Sequence, residues 1–159
     1  MSVDACRMEA VPSLQPICDA AEGYRAHLLS LGDGGGFPAA RVHGYTDESI
    51  VVESAVASGV SHEAAEHGIA RFHDELANVM SEGEEELARD QPAYPDAAES
   101  TAELDKHGFV QTVSTGNMRY AAETELRVAG LDSHLRLDLG AYGSDSRDRL
   151  ELHAVVADR

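Results

Sequence analysis

Residues 59–76 read "GVSHEAAEHGIARFHDEL" and concentrate three histidines, His62, His67 and His73, with four acids. Imidazoles and carboxylates at helical spacing are the raw material of zinc and di-iron sites. The familiar spacings are absent. A zincin helix needs histidines four apart so that both leave one face. His62 and His67 are five apart and diverge by about 140° around a helix. The di-iron pair needs a glutamate three residues before a histidine, and positions 59, 64 and 70 are Gly, Ala and Ala. His62, Glu66 and His73 do share a stripe, but His62 and His73 would stand about 16 Å apart along the axis. The pair His62 and Glu66 is the remaining metal candidate, completed from elsewhere by His43 or His107. The competing reading is an i,i+4 pair beside an apolar stripe, facing water.

Nucleophilic and phosphate chemistry fare worse. "GVSHE" has a serine without the second glycine of a nucleophile elbow. "GDGGGF" at 32–37 lacks the Lys-Ser/Thr that would make it a phosphate loop. Cys6 and Cys18 have no C-x-x-C spacing, and Cys18 falls inside a helical pattern as a small core residue would. His134 and His153 alternate with leucines and are explained by cross-strand charge pairing, with a polar binding face as the other reading. No catalytic residue and no cofactor is expected.

The elements around these residues read as helices first. "PICDAAEGYRAHLLSLG" places Ile17, Ala20, Ala21, Tyr24, Leu28 and Leu31 on one face, with Gly32 as a stop. "TDESIVVESAVASG" carries a β-branched run, but Thr46 can cap a helix with Asp47 and Glu48 in its first turn. Helix is the favoured reading. Ser61 caps the next helix, whose stripe of Ala65, Ile69, Phe72, Leu76, Val79 and Met80 runs toward Gly83 and beyond into "EEELARD". From Ser81 to Asp105 nine acids face a lone base, Arg89. A short helix is expected in "DAAESTAELDKHG", with Asp96 and Glu99 at capping-box spacing.

Beyond Gly108 the period changes to two. "GFVQTVSTG", "YAAETELRVAG", "HLRLDLGAYG" and "DRLELHAVVAD" alternate apolar and charged residues between turn-forming "TGN", "GLDS" and "GSDSRD". Glu123, Glu125 and Arg127 fall on the charged side. This predicts an α+β fold in one domain, 1–159. It has a helical part at 1–90, an acidic connector with a short helix at 91–108, and an antiparallel meander of three to four strands at 109–158.

The chain has 159 residues, 29 acids and 12 bases, for a formal charge of −17. A single lysine, Lys106, stands among eleven arginines. Hydrated carboxylates without lysine suit concentrated salt, so a halophilic source is expected. Such a surface argues against nucleic acid and anionic membranes as partners. No apolar signal core or membrane span is present, which predicts a cytoplasmic protein, or a virion component in a viral setting.

Residues 48–86 resemble the N-terminal helical hairpin of HU/IHF-type DNA-architectural proteins. The likeness lies in a short helix at 49–58, the Gly59-Val60-Ser61 turn, Ala64-Ala65 and Gly83-Glu84. The resemblance implies homodimerisation through the hairpin and, in one reading, association with DNA. The expectation from the residues themselves is a non-enzymatic structural or interaction protein. It would be a subunit of a homo-oligomer or a larger viral or cellular assembly, with Ala65, Ile69, Phe72, Leu76 and Met80 as its contact surface.

Overall fold

The computed structural model describes residues 45–57, 59–90 and 93–159. The expected helix at 16–31, Cys6, Cys18, the glycine loop and His43 lie outside the described residues. Six α-helices are described: α1 Asp47–Ala57, α2 His62–Glu82, α3 Glu84–Asp90, α4 Ala97–Lys106, α5 Arg119–Val128 and α6 Leu152–Ala157. Three single 3₁₀ turns, Asp132–His134, Leu137–Leu139 and Arg149–Glu151, punctuate the chain between α5 and α6.

The first helices form for legible reasons. In α1 the β-branched run is tolerated because Val51 and Val52, with Ala55, point into the core. Packing there outweighs a weak local preference. Gly59 takes a left-handed φ of 95°, and Val60 N–H bonds back to the Ala55 carbonyl. Ser61 then caps α2, its hydroxyl accepting from Ala64 N–H at 3.2 Å. Ala65, Ile69, Phe72, Leu76 and Met80 are all buried, joined in the core by Val51, Val52, Leu87, Met118 and Ala121. Phe72 is fully inaccessible, a burial that stabilises by about 2–3 kcal/mol. Helix α2 packs on α1 and on α5, and α3 also lies against α5.

Helix α4 is less tightly held and buries no residue. Asp96 precedes it with φ 64° and makes no side-chain capping bond, so the expected capping box is not formed.

The α+β expectation is overturned. Among the described residues there is no strand, only an isolated parallel bridge between Ser114 and Ala141. Where the meander was expected at 109–158 stand α5, α6 and the 3₁₀ turns. Residues 120–130 are dominated by Ala, Glu, Leu and Arg, all good helix formers, with few β-branched residues. Met118, Ala121, Ala122 and Thr124 are buried there, and 118, 121, 122 and 125 share one helical face. A two-residue alternation over a short stretch coexisted with that face and concealed it. The C-terminal segment repeats the point: Leu152 is fully buried while Leu150 is 77% exposed, although both were assigned to one greasy face.

Extended backbone does cross itself once. The 111–117 segment runs beside 136–143, with Arg136 N–H to Gln111 O, Ala141 N–H to Val113 O, Thr115 N–H to Ala141 O and Gly143 N–H to Asn117 O. Contact is closest at Gly143, where a Cβ would stand 2.0 Å from the Gly116 carbonyl oxygen. Gly116 in turn abuts the Tyr45 carbonyl. This crossing seats the N-terminus of α1: Asp47 N–H donates to Gly116 O, and the Asp47 carboxylate accepts from Met118 N–H at 2.7 Å.

Candidate binding groove

The histidine-rich stretch is an ion-pair lattice tied together by an arginine 81 residues away from Glu66 in sequence. Arg147 donates from Nε to Glu48 at 2.8 Å and from Nη1 to Glu66 at 2.5 Å. His73 Nε2 lies 2.9 Å from the other oxygen of Glu48. His62 Nε2 stands 3.6 Å from Glu66. The Arg147 hydrogen bond holds the Glu66 carboxyl below its ordinary range, and these two acids hold the guanidinium more firmly protonated. A metal at His62 and Glu66 would have to displace that cation. His107 is elsewhere, 3.2 Å from Glu103, and His134 bonds Asp105 at 3.0 Å. Among the described residues no three histidine, cysteine or carboxylate side chains cluster as a metal site.

The five stripe residues expected to form a contact surface lie within the subunit, packed by α1, α3 and α5. Among the described residues a groove of about 700 Å³ lies beside α5. Helix α5 turns Ala122, Glu125, Leu126 and Ala129 into it, at the spacing of a single helical face. Leu87 of α3 and Ala97 of α4 form the facing wall. Val113, Ser114, Thr115 and Leu131 also line it. Tyr94, 88% exposed, stands at the rim.

Glu125 is the acidic side chain in that lining. It is half-buried, and its carboxyl is pushed up to about 7 by burial and then by the negative charge of Asp47. Asn117 Nδ2 donates to Glu125 Oε2 at 3.1 Å, which opposes the shift without cancelling it. The same Asp47 that anchors the 116–118 backbone therefore tunes the groove. No histidine, cysteine, lysine or arginine is in the described lining. A lone carboxyl with alkyl walls and the hydroxyls of Ser114 and Thr115 can bind and orient a guest. It offers no cation to stabilise a developing oxyanion.

Glu125 was missed because the two-residue period put it on the charged face of a strand with Glu123 and Arg127. Helical periodicity would have found it, by grouping it with Ala122, Leu126 and Ala129. No protein-family model, curated protein or solved structure matches this chain.

Proposed function

We propose that this chain is a non-enzymatic interaction protein that works by taking an apolar group into the α3–α4–α5 groove. The observation that carries this is a cavity of about 700 Å³ with largely apolar walls and a few polar groups, among which Glu125 is the charged one. That is the size and make-up of small-molecule sites, in which a few polar groups orient an otherwise apolar guest. A cytoplasmic setting accords with the sequence. Among the described residues no helix is long and apolar enough to cross a membrane. The test is a methyl NMR titration with 2-phenylethanol. The Ala122, Leu126 and Ala129 methyls should shift together, and Ala129→Leu, which pushes a larger side chain into the groove, should weaken the shifts. No shift at millimolar probe would overturn the reading.

A second reading is the homo-oligomer, favoured by one observation. Leu104, Phe109 and Val110 are 43%, 61% and 71% exposed around the end of α4, where Phe109 N–H bonds to the Leu104 carbonyl. Such a patch is suited to contact between copies, in a cellular or viral assembly. Light scattering decides it: a concentration-dependent dimer that Val110→Glu dissociates supports it, and a strict monomer removes it.

A further inference from the structure

We propose that the groove's ligand is a small organic cation, an aryl- or alkyl-ammonium whose apolar body lies against Leu87, Leu126 and Leu131 and whose ammonium sits on the Glu125 carboxylate. This rests on the groove being the binding site.

Three observations select the charge. First, Glu125 Oε2 accepts from Asn117, while Oε1 receives no hydrogen bond from any described residue. That oxygen is not sealed from solvent, and an ammonium entering the groove can take it as a charge-assisted bond. Second, the charged side chain in the described lining is an acid. Asp47 acts on Glu125 from the N-terminus of α1, and no basic side chain is in the described lining. An anionic guest would meet the Glu125 carboxylate, with no cation in the described lining to offset it. Third, a neutral apolar guest would bury Glu125 further without satisfying it, a cost that an ammonium turns into an attraction. The size of the groove admits a body of one ring or a short chain beside the head group.

The affinity is tied to pH. The groups that act on Glu125 are Asp47 from α1 and Asn117 from the 111–117 segment, and the described lining adds Tyr94 from the α3–α4 link and Leu87 from α3. The cation binds the ionised form of Glu125. Affinity therefore rises with pH through about 7.

The experiment is calorimetry on the full chain with three probes, phenethylammonium chloride, 2-phenylethanol and 3-phenylpropanoate, in about 1 M NaCl to screen the acidic surface. At pH 8 the ammonium should bind at least tenfold tighter than the alcohol, and the propanoate should not bind. Lowering the pH to 5.5 should weaken the ammonium tenfold or more and should not weaken the alcohol, for which a neutral Glu125 costs less to bury. Glu125→Gln should reduce the ammonium to the affinity of the alcohol. Ala129→Leu, which keeps Glu125 and pushes a larger side chain into the groove, should weaken both, with circular dichroism checking the fold of each variant. Equal affinity for ammonium and alcohol overturns the cation assignment and leaves the groove as the site. Absence of binding by both overturns the groove itself. An ammonium preference that survives both substitutions assigns it to the general acidic surface and overturns the proposal.

Discussion

Glu125 stands in the folded chain with its carboxyl pushed up to about 7, above the ordinary value of 4.5. The folded state thus holds a proton that the unfolded chain releases. Stability falls as pH rises from 4.5 to about 7, and the cost is complete above that. Its size is on the order of 3 kcal/mol. Glu125→Gln keeps the acceptor for Asn117 and removes the charge, so it should raise the melting temperature by several degrees at pH 8. The gain should shrink toward zero near pH 4.5. A gain independent of pH would contradict the ionisation described for Glu125. Little of this was legible in the sequence, because a carboxylate's solvation depends on Asp47, 78 positions away and brought close only by the fold. The histidine stretch shows the same limit. Its spacings removed the standard metal motifs, but nothing local announced Arg147 as the partner of Glu48 and Glu66.

Among the elements, α1 and α2 were legible and the C-terminal half was not. Ser61 and the 65–69–72–76–80 stripe are local signals that tertiary packing reinforces. In 120–130 two periods compete within ten residues, and the strand reading lost to helix-forming composition and to burial of Ala121 and Ala122. Between 131 and 151 the backbone follows neither period, because it is fixed by bonds to the distant 111–117 segment. That crossing is an exacting spot. Gly143→Ala would drive a methyl into the Gly116 carbonyl and the Thr46 side chain. It should cost more than about 2 kcal/mol, as overpacking against backbone does, and should loosen the seating of α1. Gly130→Ala, with φ 69° and open space, should cost only about 1 kcal/mol. Denaturant melts of the two variants check this; equal losses would contradict the close crossing.

For the molecule as a whole, the excess of acid was plain in the composition and carries a consequence that the fold does not alter. A chain with net charge −17 repels itself. The melting temperature should climb as NaCl rises from about 0.1 M to several molar, first by screening. A melting point flat or falling over that range would contradict the halophilic reading. The same field bears on the groove, because acidic surroundings favour a cationic guest and disfavour an anionic one. The measurement that tests the account most directly is therefore the titration of the Glu125 side-chain carboxyl, followed by ¹³C NMR with and without phenethylammonium. The free protein should titrate near 7, and saturating ammonium should move the midpoint clearly lower. A carboxyl that titrates in the ordinary range, or one that phenethylammonium leaves unmoved, would contradict the account.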